Sequence, residues 1–176
     1  MNTRLIARRG FMVLGTLFCL SGFWALHAFR LNINASTSMP DNAYLMWTWP
    51  KLVWRGAVIA ALPPHAYADR FEGLYFTKRV LGMPGDRISH VDGAVCVADT
   101  CHPPVMRGDA PFAPPLPEGV IPPGMYAAFG ISPDSLDSRY ATVGLFPRDR
   151  IVAVGFGTNL VPNWKDLKAW ADGQDY

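Results

Sequence analysis

An uncharged stretch near the N-terminus is the feature that most limits how this chain can fold. From Gly10 to Phe29 there are 20 consecutive residues without a charge, GFMVLGTLFCLSGFWALHAF. A helix of that length rises about 30 Å, which is the thickness of the hydrocarbon core of a bilayer. The stretch therefore predicts a membrane-spanning helix. Its length and its lack of polar breaks disfavour the core helix of a soluble protein.

The placement of positive charge predicts the orientation of this helix. Three arginines precede the apolar stretch, and only Arg30 follows it closely. Because basic residues favour the cytoplasmic side of a membrane, we expect the chain after Arg30 to be exported. The predicted organisation is a cytoplasmic N-terminus (residues 1–9), a transmembrane helix (residues 10–29) and an exported β-rich domain (residues 31–176).

A cleavable signal peptide is the main alternative to a retained anchor. The apolar region of a signal peptide is shorter, roughly 7–15 residues, with small residues at positions −1 and −3 of the cut. Ala35 would suit position −1, but Ile33 would then occupy position −3, where it fits poorly. The sequence therefore favours an anchor that is retained.

The distribution of charge along the chain disfavours a nucleic-acid partner. The chain has 16 Lys+Arg and 14 Asp+Glu residues, a formal net charge of +2. The part after Arg30 has 12 basic and 14 acidic residues, so it is mildly acidic. A nucleic-acid-binding domain should carry a positive patch on its folded surface. We therefore expect no nucleic acid among the partners.

Two cysteines of the exported part lie close together, in the run AVCVADTCHPP. In an oxidising compartment Cys96 and Cys101 would usually form a disulfide, with free thiols as an alternative. Together with His102 they offer three zinc ligands and no obvious fourth, so a metal site is disfavoured. We expect neither a metal nor any other cofactor.

The exported part is typical of β-structure. Asp92-Gly93 predicts a tight hairpin turn, and eight prolines between Pro103 and Pro123 predict a loop without sheet ladders. Tryptophans and a leucine at spacings of three predict a terminal helix at 163–172. Runs rich in β-branched and aromatic residues predict strands at 44–49, 57–62, 74–81, 87–91, 94–98, 124–129 and 150–156. The predicted fold class is mostly β, in a single domain.

Several short segments could carry chemistry, although each also has an ordinary structural interpretation. The segment NASTSMP at 34–40 is typical of a linker after a membrane anchor. In TKRVLGMPGD at 77–86, Lys78 lies in a strand-like run. Burial there would disfavour the charged form of its amine and lower its pKa, whereas exposure would leave an ordinary edge-strand lysine.

A third segment, SPDSLDSRY at 132–140, is typical of a turn-rich loop, in which Asp137 and Arg139 can pair. A fourth, RGAVIA at 55–60, predicts a buried strand and nothing more. Neither segment indicates a function by itself.

In this order and spacing, three of the segments resemble the sequence boxes of the bacterial type I signal peptidases. Ser-Met-Pro just after one anchor looks like their nucleophile box, Lys-Arg-Val-Leu-Gly-Met-Pro-Gly-Asp is similar to their lysine box, and Ser-Leu-Asp-Ser-Arg-Tyr to their last box. The resemblance spans about residues 10–155. The small size and the SPDSLDSRY form most resemble the conjugative-transfer peptidases of the TraF type, which process a pilin precursor for the mating apparatus of a plasmid.

The resemblance implies a catalytic role for each matching residue. Ser38 would be the nucleophile and Lys78 its general base, which requires a neutral amine and therefore an apolar environment. The hydroxyl of Ser36 would help the Ser38 backbone N–H to stabilise the oxyanion. Ser135 would hydrogen-bond and orient Lys78.

The same resemblance assigns Asp137 and Arg139 to a structural ion pair behind the last box, with Asp137 also tuning Lys78. No histidine is needed for this chemistry. His65, His90 and His102 are interpreted as surface or loop residues.

The sequence departs from the housekeeping signal peptidases at two points. Those enzymes usually have one residue between Met and Pro, whereas Met39 and Pro40 are adjacent here, as in the transfer peptidases. The glycine that follows Arg139-Tyr140 comes later, at Gly144, which predicts a longer turn.

Aromatic residues crowd the stretch after the predicted nucleophile. Trp47, Trp49 and Trp54 are residue types that favour the bilayer interface, although they would serve equally well as core of the sheet. We expect some of them to be exposed near the active-site groove.

The sequence thus predicts a membrane-anchored serine endopeptidase of the cytoplasmic membrane, with its catalytic domain in the periplasm. The expected partners are the bilayer, an exported precursor with small residues before the cut, and the type IV secretion or mating-pair apparatus. The favoured function is maturation of a conjugative pilin, with cyclisation if the acyl-enzyme is intercepted by the N-terminal amine of the substrate. The alternatives are general signal-peptide cleavage and a non-catalytic envelope assembly module, against which the presence of Ser38, Lys78 and Ser135 in one chain argues.

Overall fold

The computed structural model describes residues 3–34 and 38–160. Ser36 and the predicted helix at 163–172 lie outside the described residues. Within the described ranges, one helix precedes thirteen strands, and two 3₁₀ turns cover His65–Tyr67 and Arg148–Arg150. The elements are α1 (Thr3–Ala28), β1 (Phe29–Ile33), β2 (Ala43–Trp47), β3 (Val58–Ala61), β4 (Phe76–Gly82), β5 (Arg87–Val91), β6 (Ala94–Val97), β7 (Thr100–His102), β8 (Met106–Arg107), β9 (Ala110–Pro111), β10 (Gly119–Val120), β11 (Met125–Phe129), β12 (Phe146–Pro147) and β13 (Ile151–Thr158).

Helix α1 contains the uncharged stretch found in the sequence. Its segment Arg9–Ala28 has a mean hydropathy of 1.6 and is long and apolar enough to cross a membrane, and only 6% of it is buried against the protein. Large side chains such as Phe11 and Phe18 point away from the protein, with exposed fractions of 80% and 79%. The fold prediction of one N-terminal apolar helix before a mostly β domain is therefore confirmed.

Seven antiparallel strands form the main sheet, in the order β1-β2-β13-β3-β4-β11-β12. Strand β1 follows α1 without a break and pairs with β2, so that Phe29 lies opposite Trp47 and Ile33 opposite Ala43. The sequence analysis ended the helix at Phe29 and assigned no strand before residue 44. This edge strand was missed because its alternation of apolar and polar residues, FRLNI, is only five residues long and begins at the residue that was assigned to the end of the helix.

The largest core cluster covers one face of the central strands. Ile59 of β3, Phe76 and Val80 of β4 and Val154 of β13 belong to it, packed against residues such as Tyr126 of β11. A second cluster lies between the main sheet and a smaller sheet of order β10-β5-β6-β7. Large apolar side chains at alternating positions thus fix which face of each strand is buried.

The smaller sheet contains the predicted hairpin, whereas the prediction for the proline-rich segment is wrong in one respect. Asp92 and Gly93 connect β5 to β6 with φ angles of 49° and 78°, as a tight hairpin turn requires. The segment from Pro103 to Pro123 was predicted to lack sheet ladders, yet it contains β8, β9 and β10. These strands are two residues long and lie in a ribbon or at a sheet edge, where proline is tolerated.

Candidate active site

Lys78 is held inside the sheet by the alternation of strand β4. The strand exposes every second residue, and Lys78 shares its buried face with Phe76 and Val80. Lys78 is only 6% exposed, and its Nζ lies 5.8 Å from the centroid of the Phe76 ring. Ile59 is its register partner on β3. The backbone pattern therefore places an amine in an apolar environment.

The environment of Lys78 changes the protonation of its amine. Desolvation by burial is the largest effect and lowers the pKa of Lys78 from 10.5 to about 8. The carboxylates of Asp137 and Asp134 oppose this shift, and Arg139 adds to it. A lysine with this pKa is partly neutral near neutral pH, and a general base has to be neutral.

Ser38 lies in the loop that connects β1 to β2. Asn34 closes this loop, because its side-chain amide donates to the carbonyl oxygens of Met39 and Asp41 at 3.0 and 2.8 Å. Met39 is buried and packs on Tyr44 and its neighbours beneath the sheet. The loop is thus anchored on the chain segment that follows Ser38.

The loop after β11 holds Ser38 from the other side. The backbone N–H of Ile131 donates to the Ser38 carbonyl oxygen at 2.9 Å. Gly130 is required here, since a Cβ at this position would lie 2.7 Å from the Ser38 carbonyl oxygen and collide with the Ser135 hydroxyl. Ser38, Gly130 and Ser135 are therefore packed together at one point.

Ser135 is 2% exposed, and its hydroxyl oxygen has no hydrogen-bond partner among the described residues. The hydrogen bond from Ser135 to Lys78 that the family resemblance implies is thus not formed in this structure. Both residues nevertheless line the same groove.

Asp137 and Arg139 form a buried ion pair behind the loop. The guanidinium donates to both carboxylate oxygens of Asp137, at 2.8 and 3.0 Å, and the two side chains are 0% and 3% exposed. Asp137 also accepts from the backbone N–H of Gly130 at 2.8 Å, and Arg139 donates to the Gly130 carbonyl oxygen at 3.3 Å. The pair therefore fixes the residue that contacts Ser38.

The longer turn predicted before Gly144 is also tied to this loop. The Ser138 hydroxyl accepts from the backbone N–H of Ala128 at 3.0 Å and donates to the Gly144 carbonyl oxygen at 2.9 Å. Gly144 has a φ of 71° and its N–H donates to the Tyr140 carbonyl oxygen. A glycine suits this left-handed conformation.

A groove of about 740 Å³ brings Ser38, Lys78 and Ser135 together. Leu31 and Ile33 of the edge strand β1 line one part of it. The other lining residues are mostly uncharged, and include Asn32, Asn34, Tyr44, Phe71, Gly73, Leu74, Tyr75, Phe76, Thr77, Asp134 and Leu136. A serine and a buried amine that line one largely apolar groove are an arrangement suited to acyl transfer.

An aromatic surface lies where α1 enters the sheet. The rings of Trp47 and Trp54 are stacked 5.7 Å apart, and Trp24 of the helix contacts Trp49 edge to face at 6.4 Å. Trp49 and Trp54 are 65% and 39% exposed, as expected, but none of the three predicted tryptophans lines the groove. Phe29 joins the same surface through Trp24.

The structure joins Cys96 and Cys101 in a disulfide, and the described residues contain no cluster suited to a metal ion. His102, interpreted from the sequence as a surface or loop residue, instead stacks on Phe129 with ring centroids 4.0 Å apart. The sequence analysis also missed Gly130 and Asn34, because nothing in their local pattern reveals a long-range contact.

A family model described as "Signal peptidase, peptidase S26" matches residues 3–158. Among solved structures, a signal peptidase I from Enterococcus faecalis is similar, with a TM-score of 0.37 and 21% sequence identity over 59% of this chain and 97% of that chain. No curated protein shows significant sequence similarity to this one.

Proposed function

Because the chain belongs to the signal peptidase family, peptidase S26, and is therefore a serine endopeptidase, we propose that Ser38 and Lys78 form its catalytic dyad. The observation that supports this assignment best is the burial of Lys78 in the groove that Ser38 lines. A lysine with a pKa of about 8 can accept a proton near neutral pH. Ser38 is assigned as the nucleophile because it lines the same groove as Lys78, and because the N–H of Ile131 fixes its backbone through the carbonyl oxygen.

In the proposed reaction, the neutral Nζ of Lys78 takes the proton of the Ser38 hydroxyl as Oγ attacks the scissile carbonyl carbon. The Ser38 backbone N–H and the Ser36 hydroxyl stabilise the oxyanion, a contribution worth about 10²–10³ in rate for each donor. Lys78 then delivers its proton to the leaving amine, the C–N bond breaks, and an acyl-enzyme remains. A water molecule, deprotonated by Lys78, releases the second product as a carboxylic acid and regenerates Ser38.

The edge strand β1 supports binding of an extended substrate. Its outer side has no partner strand among the described residues, and its residues Leu31 and Ile33 line the groove. An extended peptide can pair with such an edge through its main chain and place alternate side chains in the groove. The substrate class is an exported precursor with small residues before the cut.

We place the catalytic domain on the outer side of the cytoplasmic membrane, in the periplasm, with residues 1–9 in the cytoplasm. The apolar segment Arg9–Ala28 and the excess of arginine before it support this topology. The exposed Trp49 and Trp54, continuous with Trp24 of the helix, support contact between the sheet and the bilayer interface. A phosphatase reporter fused after Tyr176 should be active outside the cytoplasm only, and activity inside would contradict the orientation.

The finer assignment is maturation of a conjugative pilin, in contact with a mating-pair or type IV secretion apparatus. It is supported by the adjacent Met39 and Pro40 and by the SPDSLDSRY form of the last box, both features of the transfer peptidases. In this setting an N-terminal amine of the substrate can replace water in attacking the acyl-enzyme, which gives a cyclic product. General cleavage of signal peptides is the second candidate, supported by the family match itself.

Co-expression with a candidate pilin precursor, followed by mass measurement of the product, tests these proposals. The Ser38→Ala and Lys78→Ala variants should leave the precursor uncut, whereas Ser89→Ala, a serine of the smaller sheet, should process it normally. Cleavage by either dyad variant would contradict the dyad. A product lighter by one water than the linear mature chain would identify cyclisation, and cleavage of unrelated signal-peptide precursors alone would favour general signal peptidase activity.

A further inference from the structure

Two buried polar side-chain atoms have no hydrogen-bond partner in the part of the chain that the structure describes, and both lie near the end of β11. One is the Ser135 hydroxyl oxygen, which belongs to the active site, and the other is Nε2 of His102. The His102 ring lies flat on Phe129, with an interplanar angle of 8°. The catalytic proposal makes no use of this histidine, so its position requires another explanation.

A hairpin cross-linked by a disulfide holds His102 in this position. Strands β6 and β7 pair antiparallel, with Cys96 directly opposite Cys101, and the disulfide joins these two residues. The turn between the strands uses Ala98 and Asp99, both with positive φ. His102 follows Cys101 immediately, at the end of the edge strand β7, which pairs with β6 on one side only.

The next residue of this strand reaches the buried ion pair. The Pro103 carbonyl oxygen accepts a hydrogen bond from Nη1 of Arg139 at 3.2 Å. The same guanidinium holds Asp137 and the carbonyl oxygen of Gly130. His102 and Pro103 therefore contact two parts of one unit, Phe129 at the strand end and Arg139 in the loop.

That unit is the part of the protein that holds Ser38. Phe129, which is 1% exposed, directly precedes Gly130 and Ile131. Gly130 packs against Ser38 and Ser135, and the N–H of Ile131 donates to the Ser38 carbonyl oxygen. A continuous set of contacts thus leads from the disulfide to the nucleophile.

We propose that His102 is a positioning residue for the Ser38–Lys78 site, acting together with the Pro103 carbonyl, and that the Cys96–Cys101 disulfide holds both in place. The inference rests on the proposed dyad. It also gives the disulfide a role in activity: full turnover requires an oxidising compartment, because reduction removes the cross-link that fixes the strand carrying His102 against β6. The ring works as a flat, neutral packing surface, with Asp137 and Arg139 as the charged groups around it.

The direction of the effect follows from the geometry. Loss of the His102 ring removes the surface against which Phe129 and the loop pack, so Ser38 and Ser135 can move relative to Lys78. A misplacement of about 1 Å caused by a distant mutation can lower turnover by about 10²-fold. Movement of the Ser135 loop, which lines the same groove as Lys78, also admits water to the amine, reduces its desolvation and raises its pKa.

The test compares full-length variants in detergent micelles, using the precursor that the wild-type protein cleaves. His102→Ala should lower kcat about 10-fold with little change in KM, within the range for such misplacement. It should also shift the acid limb of the pH profile, the part in which kcat/KM rises as Lys78 loses its proton, to higher pH. His102→Phe keeps a flat ring on Phe129, so it should retain the wild-type kcat and the wild-type position of the acid limb. A purely structural role would reduce only the amount of folded enzyme and would leave the limb unmoved.

The disulfide is tested with the double variant Cys96→Ala/Cys101→Ala, which should lower kcat to a similar extent. Adding His102→Ala to it should cause little further loss, because both changes act through the same contacts. His65→Ala, an exposed histidine in a 3₁₀ turn, is the matched control and should behave as wild type. If His102→Ala does not fold, His102→Leu, which is apolar but not flat, takes its place beside the cysteine double variant.

Wild-type kcat and pH profile in His102→Ala would overturn the proposal, as would equal impairment of His102→Ala and His102→Phe. Additive losses from the cysteine and histidine changes would also overturn it. These outcomes are distinct from failure of the dyad, because Ser38→Ala is assayed in parallel. Activity in Ser38→Ala would refute the dyad itself, whatever the His102 variants do.

Discussion

Two cations of the candidate site, Lys78 and Arg139, are both buried, but they differ in whether a countercharge accompanies them. Lys78 is 6% exposed and Arg139 is 3% exposed. Arg139 shares two hydrogen bonds with Asp137 and donates to carbonyl oxygens of the surrounding loop, among them those of Gly130 and Pro133. Lys78 takes part in none of the ion pairs found within residues 3–34 and 38–160, all of which involve arginine.

The chemistry of the two side chains explains the difference. A guanidinium stays protonated in proteins, so a buried arginine must be given acceptors for its charge. An amine can lose its proton, and burial lowers the pKa of Lys78 to about 8. The ion pair with Asp137 therefore keeps Arg139 charged in a structural role. Lys78 has no such ion pair, so its amine can become neutral and act as a base.

Exchange of Lys78 for arginine should have the largest effect, because it removes the property that distinguishes the two sites. In Lys78→Arg the side chain cannot become neutral, so we expect turnover to fall by the full contribution of a general base, about 10²–10⁴-fold. Rates of precursor cleavage by purified protein measure this.

The matched control is Arg139→Lys, which retains the charge but loses the two-pronged contact with Asp137. It should lower stability while leaving more activity than Lys78→Arg. If Lys78→Arg retained turnover within a few-fold of wild type, a neutral base at this position would not be needed.

Removal of one partner from the buried pair should have the next largest effect, on folding rather than on chemistry. Arg139→Leu leaves the Asp137 carboxylate buried without its countercharge, and breaking such pairs reduces the free energy of unfolding by about 3–5 kcal/mol. Urea denaturation followed by circular dichroism would measure this loss. The double variant Asp137→Leu/Arg139→Leu should recover part of it, and a double variant worse than either single change would contradict the account.

The contrast between the two cations also shows what could be predicted from the sequence. The alternation of residues around Lys78 and the spacing of Asp137 and Arg139 are local patterns. A buried lysine and a nearby ion pair could therefore both be predicted from the sequence. Their relation to Ser38 runs through Gly130 and Ile131, whose contacts bridge residues about ninety positions apart. No local pattern encodes such a contact, so the resemblance to a family had to supply the connection.

The misassigned segments have a similar cause. Strand β1 was missed because its alternating pattern, FRLNI, is only five residues long and follows the helix directly, so that its pairing with β2 is what identifies it. His102 was interpreted as a loop residue because a histidine beside prolines has no local reason to be half-buried. Its packing partner, Phe129, is 27 residues away in sequence and becomes its neighbour only when the two sheets meet.

The pH dependence of cleavage should show a smaller effect that separates the two cations further. Since the active form of Lys78 is neutral, kcat/KM should fall about tenfold for each pH unit below the pKa of about 8 and level off above it. Asp134→Asn removes a carboxylate that raises the pKa of Lys78, so the limb should move to lower pH. A limb that stays in place in Asp134→Asn would show that this exposed carboxylate does not influence Lys78, whereas activity that is flat between pH 6 and about 8 would exclude Lys78 as the titrating base.

The smallest effect is expected at a third cation, Arg79, the neighbour of Lys78 on β4 that points to the opposite face. Its guanidinium lies 3.2 Å from the Asp41 carboxylate, but the Arg79 side chain is 37% exposed, so solvent screens the pair. Arg79→Gln should change the free energy of unfolding by only about 0–1 kcal/mol and leave cleavage unaffected. Asn34 and Tyr44 still hold the Asp41 carbonyl oxygen, and through it the Ser38 loop, without Arg79. A large loss of activity in Arg79→Gln would show that this loop depends on a surface charge, and that burial alone does not decide which cations of the protein matter.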